Sequence, residues 1–112
     1  METRSRVLED EHPDTLITMA NLASTYRNQG RWKEAEALEV QVMETRMRVL
    51  GDEHPSTLTS INNLAFTLKG QGSLSRAISF IEACFKLQTA VLGPQHPHTI
   101  SSREALTTWR LS

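Results

Sequence analysis

Apolar and small residues recur three or four positions apart along most of the chain, which is the spacing of one face of an α-helix. One such stripe lies between Pro13 and Gly30, and a longer one begins at Trp32 and ends before Gly51. The pattern predicts helices near residues 2–8, 14–29, 32–50, 56–71, 74–92 and 98–110. No stretch shows the alternation typical of a strand, so we expect an all-α chain.

Proline and glycine stand at the predicted helix ends. Pro13, Pro55 and Pro97 each precede a stripe, at a first helical position where the N–H that proline lacks would be unpaired anyway. Gly30 and Gly51 follow stripes, where a residue free to adopt positive φ ends a helix. The short connections, of about two to four residues, make neighbouring helices antiparallel.

One stretch of sequence occurs three times. It reads VLGDEHPSTL at residues 49–58, with related copies at residues 7–16 and 91–100, and its His-Pro pairs recur with a period of 42 residues. A fixed period of roughly 20–50 residues indicates a solenoid, in which each unit packs on its neighbours. We therefore divide the single domain into the end of a preceding repeat, two complete repeats and the first helix of a truncated third: residues 1–11, 12–53, 54–95 and 96–112.

Composition excludes several classes of function. Twelve basic and thirteen acidic residues give a net charge of −1, which provides no electrostatic footprint for nucleic acid or an anionic membrane. No apolar run approaches the roughly 18–20 residues that a membrane span requires. The single cysteine, Cys84, excludes an internal disulfide and a cysteine-based zinc cluster. A reducing compartment, the cytoplasm, is the expected location.

The segment from Asn21 to Glu36 reads NLASTYRNQGRWKEAE, and it resembles the tetratricopeptide repeat. The period and the Val-Leu-Gly-x-x-His-Pro-x-Thr stretch are similar to the 42-residue repeats of kinesin light chains and of fungal nucleotide-binding immune-type receptors, and the wording is most similar to the receptors. The resemblance implies a right-handed α-solenoid of antiparallel helix pairs whose first helices line a concave face. It also implies close helix crossings at four small residues, Ala23 with Ala35 and Ala65 with Ala77.

The residue types do not form a catalytic or metal-binding constellation. The His-Pro histidines are one repeat apart, so we interpret them as helix caps and not as a shared metal site. Cys84 falls on a packed stripe without a base nearby, which is typical of a buried thiol. We expect no enzyme activity, no cofactor and no metal.

Asn21 and Asn63 are the candidate ligand-binding residues, because they occupy equivalent positions on successive first helices. A carboxamide can pair with both the N–H and the C=O of a peptide. The alternative is hydrogen bonding between repeats. Arg27 and Lys69, also equivalent, would make the groove mildly basic, although a solvated surface explains them equally well.

Aromatic residues and the last helix suggest further contacts. Tyr26 and Trp32 belong to the repeat pattern, and Trp32 is expected to fill the space between two repeats, with a ligand platform as the alternative. Arg103 replaces an inward-facing residue, and Trp109 aligns with two threonines. We consider both for self-association through an uncapped repeat end, against the alternative that Trp109 is buried.

The predicted function is protein binding. The leading hypothesis is the sensor or scaffold segment of a larger receptor-like protein. The alternatives are a kinesin-light-chain-like adaptor that binds an extended peptide, and a self-associating module that forms homo-oligomers by stacking at its ends.

Overall fold

The computed structural model describes residues 13–111, which form five α-helices. Their bounds are α1 Pro13–Asn28, α2 Trp32–Leu50, α3 Pro55–Gln71, α4 Leu74–Val91 and α5 Pro97–Arg110. The all-α prediction is confirmed for these residues, and the predicted helix at residues 2–8 lies outside them. The three proline-led helices begin one residue earlier than predicted, because proline itself takes the first helical position.

Each helix packs on the helix that follows it, so the chain forms a continuous solenoid. Side chains also join alternate helices. Asn62 Nδ2 of α3 donates to Ser102 Oγ of α5 over 3.1 Å, and Arg76 of α4 pairs with Glu36 of α2 at 2.9 Å. Helices α1, α3 and α5 therefore form one layer and helices α2 and α4 the other.

The core is centred on α3, which lies between α2 and α4. Leu58, Leu64 and Leu68 of this helix are at most 1% exposed. All four alanines expected at the helix crossings are fully buried: Ala23, Ala35, Ala65 and Ala77. Side chains of this size let two helix backbones approach closely, so the leucines can fill the remaining space between the layers.

The His-Pro joints cap the helices that follow them. His54 Nδ1 accepts a hydrogen bond from the Ser56 backbone N–H over 3.0 Å, and His96 Nδ1 accepts one from the His98 N–H over 3.1 Å. Each bond satisfies one of the donors that a helix leaves unpaired at its first turn. These histidines therefore determine where α3 and α5 begin.

Trp32, the first residue of α2, packs across the C-terminal part of α3 at Gly70. A Cβ atom added at Gly70 would lie 2.6 Å from two carbons of the indole ring. Glycine within a helix normally costs about 1 kcal/mol relative to alanine. Here its missing side chain makes room for the indole, which contacts the second repeat at this glycine.

We expect Gly70→Ala to displace the indole and lower the free energy of unfolding by about 1–3 kcal/mol, because the new methyl overpacks the contact. The comparison is best made in a Trp109→Phe background, in which Trp32 is the remaining tryptophan. A red shift of its fluorescence and urea denaturation would measure the two effects.

The control is the same glycine substitution combined with Trp32→Ala. Without the indole, alanine should raise stability by up to about 1 kcal/mol through its better helix propensity. An effect of the same sign and size in both backgrounds would contradict the proposed contact.

Candidate functional site

The layer of α1, α3 and α5 presents a surface that we call the odd-helix face. Between α1 and α3 it contains a cleft of about 370 Å³, the α1–α3 cleft. Its lining consists of Arg27, Asn28, Trp32, Asn63 and Phe66. The cleft therefore combines amide groups, two aromatic rings and a guanidinium, a mixture of apolar surface and a few polar groups that is typical of ligand sites.

The structure brings two of the four predicted groove residues into this cleft. Asn63 is half-buried and Arg27 lies beside it, whereas Asn21 is exposed on α1 outside the cleft lining. Lys69 is half-buried on α3 and also lies outside the lining. Asn21 and Asn63 occupy equivalent sequence positions but have different structural surroundings. The same holds for Arg27 and Lys69.

Arg27 is largely engaged within the chain. Its Nη1 donates to the Asn63 carbonyl oxygen over 3.4 Å and lies 3.8 Å from Glu39 Oε2. The guanidinium therefore links α1 to both α2 and α3. Arg27 therefore has a structural role, because it connects the first repeat to the second. Its predicted role as a cation of the groove stays a prediction.

Glu39 is a buried carboxylate that the sequence analysis missed. Its side chain is 5% exposed, and neither Oε1 nor the neighbouring Thr67 hydroxyl makes a hydrogen bond of good geometry among residues 13–111. Burial raises the pKa of the carboxyl, Glu36 raises it further, and the nearby Thr67 hydroxyl and Arg27 offset part of this. The available signal was its register, since the equivalent residue one repeat later is the fully buried Ile81.

A small cavity of about 10 Å³ adjoins this carboxylate. It lies between α1, α2 and α3 and is lined by Ala20, Glu39, Val42, Ser60 and Asn63. That volume holds about one water-sized group. Asn63 is the one lining residue that this cavity shares with the α1–α3 cleft.

Trp109 belongs to the interior of the chain. It is 5% exposed and packs edge-to-face on Phe66, with ring centroids 5.1 Å apart and an interplanar angle of 81°. The ring joins α5 to α3 and is not available to contact another chain, so the structure favours the alternative that Trp109 is buried. Arg103, the other residue considered for self-association, is exposed.

Other candidate groups have structural surroundings. Burial raises the pKa of the Cys84 thiol to about 11, and its Sγ lies 3.5 Å from the Leu58 carbonyl oxygen, so it stays protonated at neutral pH.

The Arg31 guanidinium stacks 4.4 Å from the centre of the half-buried Tyr26 ring. Within residues 13–111, no group of three or more His, Cys, Asp or Glu side chains could hold a metal ion. The five helices of this part of the chain are all too short or too polar to cross a membrane.

Comparison with known proteins agrees with this architecture. Residues 15–56 and 57–98 each match the family model described as "Tetratricopeptide repeat". The chain belongs to this family. Both matches span 42 residues, the same period as the His-Pro pairs. The predicted division at residues 12, 54 and 96 begins three residues earlier in each unit and stays a prediction.

Two solved structures are similar to the chain. Both come from a Podosopora anserina protein described as a kinesin light chain with nearly identical TPR-like repeats, and one of them is a point variant of that protein. Each is 30% identical, with TM-scores of 0.79 for the variant and 0.78 for the other. The match covers 95% of this chain and 50% of each of theirs, so the chain spans about half their length. No curated protein sequence matches the chain significantly.

We expect Arg27→Ala to lower the free energy of unfolding by about 1–3 kcal/mol, because it leaves the buried Glu39 carboxylate without its cation. Lys69→Ala is the matched control from the next repeat and should change stability by less than about 0.5 kcal/mol. Urea denaturation followed by circular dichroism measures both. Adding Glu39→Ile to Arg27→Ala should restore the lost stability. Equal losses of stability for Arg27→Ala and Lys69→Ala would refute the pairing of Arg27 with Glu39.

The raised pKa of Glu39 also predicts how stability depends on pH. The pKa of Glu39 is higher in the folded state than in the unfolded state, where it is about 4.3. The contribution of this group to stability is therefore lost as the pH rises above about 4.3. Glu39→Gln should therefore match the wild type near pH 4 and be the more stable protein at pH 7. Urea denaturation from pH 4 to 7 tests this, with Glu44→Gln as an exposed control on the same helix. A constant difference across that range would speak against a buried, partly uncompensated carboxylate.

Proposed function

We propose that the odd-helix face binds an extended peptide segment of a partner protein. The observation that carries this proposal is the α1–α3 cleft, where the Asn63 side chain lies among aromatic surface. A carboxamide can accept from a peptide N–H and donate to a peptide C=O. Phe66 is 39% exposed at the same place, and Trp32 is half-buried, so both can cover an apolar side chain of the peptide.

The family and its structural relatives support this reading. Tetratricopeptide arrays are protein-interaction scaffolds, and the similar structures come from a protein described as a kinesin light chain. An adaptor role, in which the array holds a segment of a cytoplasmic partner, is therefore our first proposal for the chain. The hypothesis of a receptor with a nucleotide-binding switch elsewhere rests on sequence resemblance, and it would use the same face for its ligand.

Self-association through the repeat ends is the alternative from a different class. The outward-facing positions of α5 include Arg103, Thr107 and Arg110, all of which are exposed. Arg110 is already paired with Glu82 of α4 at 2.6 Å. Since stacking would require these arginines to lose water, the polar character of this surface favours peptide binding over end-to-end association.

The proposal predicts that Asn21→Ala combined with Asn63→Ala weakens peptide binding. We suggest selecting ligands for the wild type from a displayed library of linear peptides and measuring their affinity by fluorescence anisotropy. The affinity of the double variant should fall about 10- to 100-fold, with most of the loss arising from Asn63, because Asn63 lines the cleft and Asn21 does not.

Gln41→Ala, at an exposed position on α2, is the control and should bind as the wild type does. Circular dichroism and urea denaturation distinguish loss of binding from loss of structure. Unchanged affinity in the asparagine double variant would contradict their role, and a failure of the wild type to select any peptide would refute the proposed function itself.

A further inference from the structure

The two His-Pro joints differ in one side chain that faces the following helix. Arg46 near the end of α2 and Gln88 near the end of α4 are equivalent, since they lie 42 residues apart. In the first joint, Arg46 Nη1 donates to Ser60 Oγ over 2.7 Å. In the second joint, the equivalent hydroxyl, Ser102 Oγ, accepts instead from Asn62 Nδ2 over 3.1 Å. Gln88 therefore does not need to take over the bond that Arg46 makes.

Gln88 keeps a buried oxygen without a partner. The residue is 1% exposed, and its Oε1 makes no hydrogen bond within residues 13–111. The buried Thr99 hydroxyl is also unpaired, but so is that of Thr57, its equivalent in the first joint, where Arg46 replaces Gln88. The unpaired threonine is thus a feature of both joints and is not caused by Gln88. A buried acceptor without a donor is costly, so the Gln88 oxygen calls for a partner.

The Gln88 side chain borders a pocket at the second joint, which we call the joint pocket. It has a volume of about 180 Å³ and lies between the first turns of α3 and α5 and the end of α4. Leu58 and Gln88 are buried lining residues. Leu92 and His96 are half-buried, and His98 is exposed at the opening. Since a cavity of roughly 150 Å³ can hold benzene, the joint pocket has room for one amino-acid side chain.

His96 adds a hydrogen-bond donor to the joint pocket. Its Nδ1 accepts from the His98 backbone N–H over 3.1 Å, so the proton of the neutral ring lies on Nε2. A metal ion would need this Nε2 without its proton. The pocket therefore offers an N–H donor at His96, and an acceptor oxygen together with an N–H2 group at Gln88.

The second joint favours an uncharged ligand. Burial lowers the pKa of Arg46, so the equivalent position of the first joint disfavours a cation even where the fold holds it in place. The lining of the joint pocket, all of it within residues 13–111, contains no carboxylate. The acidic pair Asp52 and Glu53 of the first joint is replaced by Pro94 and Gln95 in the second. A cationic ligand would thus lose water without gaining a counter-charge.

A primary carboxamide matches the hydrogen-bonding groups of the joint pocket, whereas a carboxylate has no hydrogen to donate to Gln88 Oε1. We propose that the joint pocket binds a primary carboxamide, the side-chain group of glutamine and asparagine, from a partner protein. Its N–H2 group donates to Gln88 Oε1, and its oxygen accepts from His96 Nε2–H. The joint pocket shares no lining residue with the α1–α3 cleft, so this inference does not depend on peptide binding there.

The test is an NMR titration of the isotope-labelled chain with single amino acids blocked as N-acetyl methylamides. Glutamine and asparagine are the two sources of the carboxamide, and methionine, glutamate and arginine are the apolar, anionic and cationic comparisons. At least one blocked carboxamide should shift the His96 backbone signal saturably, with a Kd of roughly 1–10 mM, because few atoms are buried. The three comparisons should bind at least about fivefold more weakly, since all the compounds share the same main chain.

Two variants test the hydrogen bonds. Gln88→Met keeps the length of the side chain and removes the amide, so the affinity for the carboxamide should fall about 10-fold or more. His96→Asn keeps a capping acceptor and removes the imidazole N–H, and it should weaken binding about three- to tenfold. Gln95→Met, at an exposed position outside the pocket lining, is the matched control and should bind as the wild type does. Circular dichroism and urea denaturation verify folding before affinities are compared.

Any of four results overturns the inference. Equal binding of blocked methionine would make the site a purely apolar pocket, and stronger binding of blocked arginine or glutamate would assign it a charged ligand. No saturable shift with any compound would mean that the pocket holds water only. Unchanged carboxamide affinity in Gln88→Met would exclude the amide as the recognition group. Each of these outcomes leaves the proposed function of the α1–α3 cleft intact, because that is measured with separate peptides.

Discussion

The close approach of consecutive helices at fully buried alanines is the constraint on which the rest of the structure depends. In each of the two complete helix pairs, one alanine from each helix is fully buried: Ala23 with Ala35, and Ala65 with Ala77. Because the layers are held this close, residues of alternate helices can touch, as Asn62 and Ser102 do, and as Phe66 and Trp109 do. The odd-helix face is therefore one connected surface, on which a ligand can contact two repeats at the same time.

The two repeats share this framework and differ beside the α1–α3 cleft. Trp32 corresponds to Leu74 in the second repeat, and Glu39 corresponds to Ile81. The second repeat shows that apolar residues satisfy the packing at both places. In the first repeat, Trp32 adds an aromatic ring to the cleft lining, and Glu39 places a buried carboxylate 3.8 Å from Arg27. The framework therefore constrains the volume at these positions more strongly than their chemistry.

The helices could be predicted because the 42-residue period, the prolines and the helical stripes all indicate the same architecture. The details of the candidate site could not be predicted from the sequence. Gly70 looks like a weak point in a helix until the Trp32 ring is seen to cross it. Trp109 lies off the main stripe, and it is buried because α5 contacts α3 as well as α4. Periodicity indicates the strongest apolar face of a helix, whereas such second faces depend on how three helices meet.

The difference between α3 and α5 also bears on where recognition occurs. Ile61, Ala65 and Leu68 are buried on α3. The equivalent positions of α5 carry Arg103, Thr107 and Arg110, and each of these is exposed. Association gains free energy mainly by covering apolar area, and it loses free energy when charged groups leave water. These three positions of α5 therefore offer little apolar area to a partner, whereas the odd-helix face exposes an aromatic ring beside a cleft with a hydrogen-bonding amide. This difference supports our proposal that a peptide binds on the odd-helix face.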